Sequence, residues 1–310
     1  MSERAALRRA QWQIHLCVLL WGFTAILGKL ITLGALALVW WRMLLVALAL
    51  VLVPRVWRGL RALPARLAAA YAGIGVLVAL HWLTFYGAIK LANASVAVSC
   101  IALGPVFLAL VEPWIARRRF DPRELVLGVA VVPGVALVVG GVPAHMHAGI
   151  AVGVASALLV AVFGAWNKRL VEHADPLVVT FVELGVGMLF LTVVGAVLLA
   201  TGTGNAAGLA PGALVPGTRD ALLLVLLALA CTLLPFALSL VALRKLSAFQ
   251  AQLAVNLEPV YAIVLAVLLL GEQRELGASF YAGVAIILLA VLVHPLLTRR
   301  PAPPAPATPA

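Results

Sequence analysis

The sequence predicts an all-α membrane protein: ten transmembrane helices arranged as two inverted five-helix repeats. Three observations carry this. First, of 310 residues 65% are hydrophobic and 11% charged, with a mean hydropathy of +1.14. A soluble domain averages about 45–50% apolar and about 25% charged, so this much apolar surface has no water-soluble core to hide in. Second, the apolar residues fall in runs long enough to cross a bilayer, separated by short gaps that hold the basic residues. Third, a pattern in the first half recurs in the second at a fixed offset. A membrane β-barrel needs alternating polar and apolar residues, and runs such as ALLLVLLALACTLL (221–234) do not alternate.

A helix needs about 20 apolar residues to span the hydrocarbon. On that measure the spans lie near 13–33, 36–54, 67–89, 93–116, 124–142, 149–167, 177–200, 220–243, 248–270 and 277–297. The start, MSERAALRRAQWQIHLCVLL, has the charged-then-apolar order of a signal peptide. No small-residue cleavage site stands out and nine further runs follow, so it reads as an uncleaved first span. Basic residues decide orientation. Arg4, Arg8 and Arg9 precede span 1. Arg55, Arg58, Arg61 and Arg66 follow span 2, and Arg117, Arg118, Arg119 and Arg123 follow span 4. Lys168 and Arg169, then Arg244 and Lys245, then Arg299 and Arg300 follow spans 6, 8 and 10. The alternate gaps are poor in them: VPAHMHAG has none, 201–219 has only Arg219, and Lys90 and Arg274 are minor exceptions. Both termini are therefore expected in the cytoplasm, with the chain in the inner (plasma) membrane.

The net charge of +11 is explained by these gaps. No basic stripe with interleaved aromatics points to nucleic acid. Cys17, Cys100 and Cys231 stand singly inside apolar runs, which implies neither a disulfide framework nor a zinc site. No cofactor is expected. The tail, 298–310, ends in PAPPAPATPA and is expected to be disordered or polyproline-like.

Laid without gaps, TFYGAIKLANASVAVSCIALGPVF and LSLVALRKLSAFQAQLAVNLEPVY align Ala88 with Ala242, Lys90 with Arg244, and Pro105 with Pro259 (259 − 105 = 154). Shared Ala is weak evidence in an apolar chain. A shared basic gap, small-residue gap and mid-span Pro is stronger. A repeat of five spans enters the membrane upside down the second time, which divides the chain into 1–142 and 143–297. Many secondary transporters are built this way, with substrate at the midplane between the halves. The stretches WGFTAILGK (21–29), RMLLVALAL (42–50) and NLEPVYAIVLAVLLLGE (256–272) make the chain resemble an EamA-type member of the drug/metabolite transporter superfamily. The family's Gly-Glu ending is present at Gly271-Glu272; Arg117-Arg118 stands in its place in the first half. The resemblance implies ten helices, inverted repeats and transport of small metabolites, often amino acids and often outward.

Ionisable groups inside spans are costly and therefore candidates for function. Here they are Lys29, Arg42, His81, Glu112, Glu183 and Glu258. In span 9, Gln250, Gln252, Asn256 and Glu258 form a polar track beside Pro259. They either line a cavity or tie helices together. Arg42 and Glu183 occupy near-equivalent places in spans 2 and 7. They pair with each other, or hold the carboxylate and amine of a substrate, or Arg42 snorkels to the surface. His81 either meets substrate or a proton, or bonds a neighbouring helix, with Trp82, Phe85 and Tyr86 as aromatic walls. Trp21 and Trp166 read as interface belt or wall. Glu112 reads as a partner of Arg117–Arg119, and Lys29 as a snorkelling residue. His145 and His147, one residue apart on a loop, fall short of a metal site. Pro105 and Pro259, with Pro133 and Pro235, are the hinge candidates. The expected substrate-binding set is thus His81, Trp82, Tyr86, Arg42, Glu183, Gln252, Asn256 and Glu258.

No GxxxxGK[ST] motif supplies an ATPase, so a gradient would drive transport, with Glu183, Glu258 and His81 as candidates for proton coupling. Simple facilitated exchange is equally allowed. A membrane-embedded enzyme is disfavoured, because no HExxH or paired acid is present and Asp occurs only at 121, 175 and 220, all in gaps. A scaffold or lipid scramblase is the remaining alternative.

Overall fold

The computed structural model describes residues 3–204, 208–210, 212–274 and 276–297. The Pro-rich tail lies outside the described residues. Those described form helices and no strand. The first half holds α1 (Glu3–Leu30), α2 (Ala35–Val51), α3 (Pro54–Ala62), α4 (Ala65–Leu91), α5 (Ala94–Ile101), α6 (Gly104–Ala116), α7 (Pro122–Val129) and α8 (Val132–Gly140). The second holds α9 (His147–Leu170), α10 (Pro176–Ala200), α11 (Thr218–Ala228), a π-helical turn (Leu229–Leu233), α12 (Leu234–Leu243), α13 (Ala248–Val255), α14 (Glu258–Leu270) and α15 (Ala278–Leu297). Seven helices among the described residues are long and apolar enough to cross a membrane, or up to eight if the bent pair α2–α3 counts as one span.

Departures from the expected spans accompany proline: span 5 is divided into α7 and α8, with Pro133 in the first turn of α8, and span 8 carries a π-helical turn ahead of Pro235. The stretch after span 2, read as a basic gap, is the helix α3, bent 92° from α2. Pro54 opens it at the first turn, where its missing N–H costs nothing. Val56 is buried, while Arg55, Arg58 and Arg61 are exposed, the pattern of a helix lying in a membrane interface. Spans 4 and 9 are each interrupted, with Pro105 and Pro259 in the first turn of the second piece. The pieces stay near enough to collinear that Ala94–Ala116 and Ala248–Leu270 each remain one span of 23 residues. The backbone is therefore notched at these prolines and not unwound.

The two notched helices match feature by feature. Asn93 caps α5 by accepting from Val96 N–H at 2.9 Å; Ser247 caps α13 by accepting from Gln250 N–H at 3.0 Å. Both helices end on a left-handed residue, Arg117 (φ 52°) and Gly271 (φ 69°). Glycine adopts this cap freely; at Arg117 it costs roughly 1–2 kcal/mol. α5 packs on α14 and α6 on α13, so the two run antiparallel. At their crossing Asn256 Nδ2 donates to Ala102 O at 3.2 Å, and these two positions are themselves separated by 154 residues.

Small residues allow close contacts between other helix pairs. A side chain at Gly75 of α4 would overlap the Glu183 carbonyl of α10, and one at Gly187 would meet Gly75 O at 2.9 Å. Gly134 of α8 and Gly283 of α15 face each other in the same way.

Polar contacts fasten the two ends of the bundle differently. At the end carrying Thr32 and Lys90, Glu272 is buried (3% exposed) at the N-terminus of α5. It accepts from Ala94 N–H (3.1 Å), Ser95 N–H (3.0 Å) and Ser95 Oγ–H (2.6 Å). A carboxylate there meets both unsatisfied donors and the positive end of the helix dipole. Asp220 accepts from Thr32 N–H at 3.1 Å and Oγ–H at 2.5 Å. Both contacts join the two halves. At the opposite end Arg118 pairs with Glu112 (3.0 Å) and with Glu124, and Arg55 pairs with Asp175.

Three stability outcomes follow. Gly75→Val lowers stability by about 1–3 kcal/mol through overpacking, read as a fall in the thermal midpoint of detergent-solubilised protein. Gly73→Ala, which has no atom within 4 Å of the added carbon, leaves it unchanged or raises it. Glu272→Ala removes charged hydrogen bonds worth about 1.5–3 kcal/mol each and lowers the same midpoint.

Candidate functional site

The site is organised around Arg42 on α2, which is 2% exposed. Its environment is built by a defect in the helix opposite. Pro235 has no N–H to offer the carbonyl of Cys231 four residues earlier. The chain widens there into the π-helical turn, with Leu234 N–H bonding Leu229 O. Such turns are common at functional sites. The freed Cys231 carbonyl accepts from Arg42 Nη2 at 3.4 Å. Thr232 Oγ accepts from Arg42 Nε at 2.5 Å while donating its own hydrogen to Leu227 O at 2.6 Å. Tyr86 Oη accepts from Arg42 Nη1 at 2.9 Å. The guanidinium lies over the Trp82 ring, 3.8 Å from its centroid, a cation–π contact strengthened by exclusion of water.

Arg42 has neutral partners only. Among the described residues the ion pairs are Arg55–Asp175, Arg118–Glu112 and Arg118–Glu124. The expected alternatives of a snorkelling Arg42 and of an Arg42–Glu183 pair are both corrected here. The guanidinium is held inward by a proline defect, and Glu183 bonds Asn167 instead.

Arg42 opens onto a cavity of about 120 Å³ between the two halves. Of the expected residues, Arg42, His81, Trp82, Gln252 and Glu258 line it. Trp21, Phe85, Phe163 and Phe236 supply apolar walls, and Asn167 a further polar group. Glu258, at the first turn of α14, faces the same space as Arg42 without reaching it in an ion pair. Ser239, Leu243, Ala248 and Asn167 extend the lining toward the end that carries Lys168, Arg169, Arg244 and Lys245. A wider depression of about 600 Å³, bordered by Leu44, Leu48, Phe181 and Leu189, is almost wholly apolar. It offers nothing to recognise a polar solute and suits lipid chains.

Three expected residues stand behind the cavity wall. Tyr86 orients Arg42. Asn256 ties the two notches together. Glu183, fully buried, accepts from Asn167 Nδ2 through Oε2 at 3.3 Å. His81 makes the bond to a neighbouring helix that was one of its two expected roles: its Nδ1 contacts Ser156 O (3.0 Å) and Ser156 Oγ (2.8 Å) on α9, while its ring also lines the cavity. Pro105 and Pro259 sit at the notches, off the cavity surface. Glu112 makes the expected interfacial pair, and Lys29, His145 and His147 are exposed.

Sequence reading missed Thr232, Asn167 and Glu272. The first was legible as C-T-L-L-P, a hydroxyl and a freed carbonyl placed by one proline. Asn167 was a polar residue just before the basic pair Lys168-Arg169, and was absorbed into the span boundary. Glu272 was quoted as part of a motif but placed in a gap.

The comparisons with known proteins agree with this architecture. No curated protein matches the chain. A solved crystal structure shares the fold, with a TM-score of 0.65 at 16% identity over 94% of this chain and 97% of that one. The model of the EamA-like transporter family matches twice, over residues 9–140 and 147–294. These two matches fall on the two sets of helices that meet at the cavity, and the chain belongs to the EamA-like transporter family.

Proposed function

We propose that this protein is a secondary transporter that exports a small zwitterionic metabolite with an apolar body, of the amino-acid class, across the inner membrane by alternating access. The observation that carries this reading is the cavity between the two halves, in which Arg42 and Glu258 face one space without pairing. A substrate carboxylate completes the hydrogen bonding of Arg42, and an ammonium group meets Glu258. Trp21, Trp82, Phe85, Phe163 and Phe236 accommodate the apolar remainder. In water such a ligand is fully solvated. In this cavity its two charges replace that hydration with fixed partners of opposite sign.

The chain crosses the membrane ten times in this reading, with both termini cytoplasmic, and its halves 1–142 and 143–297 are inverted copies. The antiparallel crossing of the notched helices and the basic gaps support it. The cavity extends toward the basic end, while Glu272 and Asp220 hold the halves together at the other. In this reading the described conformation is a state open toward the cytoplasm, in which the exposed Arg55–Asp175 pair still joins the halves at the basic end. Export follows when the halves rock, breaking the Glu272 and Asp220 contacts.

Proteoliposomes preloaded with unlabelled amino acids, each tested against its labelled form, are expected to show counterflow for a class with an aromatic or branched side chain. No counterflow across a broad panel, from folded protein, contradicts the reading. Arg42→Gln and Glu258→Gln each raise the KM of exchange about 10- to 100-fold, as loss of a charge-assisted hydrogen bond of about 1.5–3 kcal/mol predicts. Ser239→Cys reacts with a membrane-impermeant thiol reagent from the cytoplasmic side and Ser95→Cys does not; the opposite pattern contradicts the assigned orientation.

A further inference from the structure

Behind the cavity, Glu183 of α10 and Asn167 of α9 present an unusual imbalance. Asn167 Nδ2 donates to Glu183 Oε2 at 3.3 Å. The other atom of each group, Glu183 Oε1 and Asn167 Oδ1, is buried with no hydrogen-bond partner. Both orphans are oxygens, and both can only accept when the carboxyl is ionised. Glu183 is 0% exposed and Asn167 3% exposed. No cation stands within ion-pair distance of the carboxylate among the described residues. An isolated carboxylate in so apolar a place, with a single hydrogen bond, is among the costliest arrangements in a membrane protein.

We propose that Glu183 and Asn167 form a proton-binding site, in which a proton on Glu183 Oε1 is donated to Asn167 Oδ1 and closes a ring of two hydrogen bonds between acid and amide. A carboxylic acid and a primary amide are complementary in this way, each with one donor and one acceptor side by side. One added proton then gives both orphaned oxygens a partner. A metal ion fits less well, because it needs several oxygen ligands and no group of three acidic, His or Cys residues suited to a metal occurs among the described residues.

The neighbours do not offer a competing charge. The hydroxyl of Tyr71 on α4 donates to Leu170 O at 2.8 Å. Arg244, beyond α12, is turned to Val171 O and Ala174 O. Arg42 of α2 is held by Thr232 and Tyr86, Arg55 of α3 by Asp175, and His81 of α4 by Ser156. Lys168, next to Asn167 on α9, donates to Leu243 O at 2.6 Å. Asn167 lines the cavity and Glu183 does not. A proton therefore passes between cavity water and Glu183 only when the ring opens, and substrate or rocking of the halves is what would open it. The role in transport rests on the reading above; the proton site itself does not.

The test is infrared spectroscopy of the full chain at neutral pH, looking for the C=O stretch of a protonated carboxyl. The wild type and Glu258→Gln show it; Glu183→Gln loses it, and Asn167→Leu shifts it. Glu183→Gln keeps both hydrogen bonds, since its amide N–H replaces the acid O–H, so its thermal midpoint stays at the wild-type value. In proteoliposomes this variant loses the gain that a pH gradient produces in the wild type. A band absent from the wild type, or retained in Glu183→Gln, overturns the proposal, as does a Glu183-dependent gain from a sodium gradient in place of a proton gradient. If exchange fails for every solute while the band behaves as described, the transport reading falls and the proton site stands.

Discussion

A guanidinium sealed inside the bundle without a carboxylate beside it is the constraint on which this structure turns. An unpaired buried charge is tolerated only when dipoles replace its lost water. Here one proline does much of that work at a distance of several residues. Pro235 leaves Cys231 O unbonded, the helix widens to place Thr232, and both oxygens turn to Arg42. Tyr86 and the face of Trp82 complete the enclosure. All of these partners are neutral, so the positive charge is solvated but not cancelled. That leaves it available to an anion, which a built-in ion pair would not.

The second organising feature is the antiparallel crossing of two notched helices. The prolines at 105 and 259 place their notches together, and Asn256 on Ala102 O binds one notch to the other. The first-turn residue ahead of each proline then differs between the halves: Gly104 in one, Glu258 in the other. Glycine makes room for the Gln252 side chain; the glutamate lines the cavity and, in the proposed reading, meets the ammonium group of the substrate. Near-symmetry of backbone with asymmetry of side chain gives a two-fold scaffold one polarised site. The same divergence appears at the helix ends, where Glu272 clamps α5 and its counterpart Arg118 turns to Glu112 and Glu124.

Much of this was legible in the sequence. Runs of apolar residues marked the helices long and apolar enough to cross a membrane. The offset of 154 residues between halves reappears as the contact between Asn256 and Ala102. What was not legible depends on which side chain meets which across helices. Arg42 and Glu183 looked like partners because they occupy related positions, yet Asn167 stands beside Glu183 and Thr232 beside Arg42. α3 was hidden because its apolar face is narrow and its arginines read as a gap. Glu272 was visible as a letter in a motif, but only the fold brings the N-terminus of α5 to it.

The central claim is that Arg42 awaits a carboxylate and Glu258 an ammonium group in one cavity. Direct binding to the purified protein, followed by the fluorescence of Trp82 beside Arg42, tests it with three ligands of one shape: an aromatic amino acid, the amine lacking its carboxylate, and the acid lacking its amine. The account predicts that removing either ligand charge weakens binding about 10- to 100-fold. It also predicts that the amine loses no further affinity in Arg42→Gln, nor the acid in Glu258→Gln. Equal binding of all three ligands, or full loss of the amine's remaining affinity in Arg42→Gln, would contradict it.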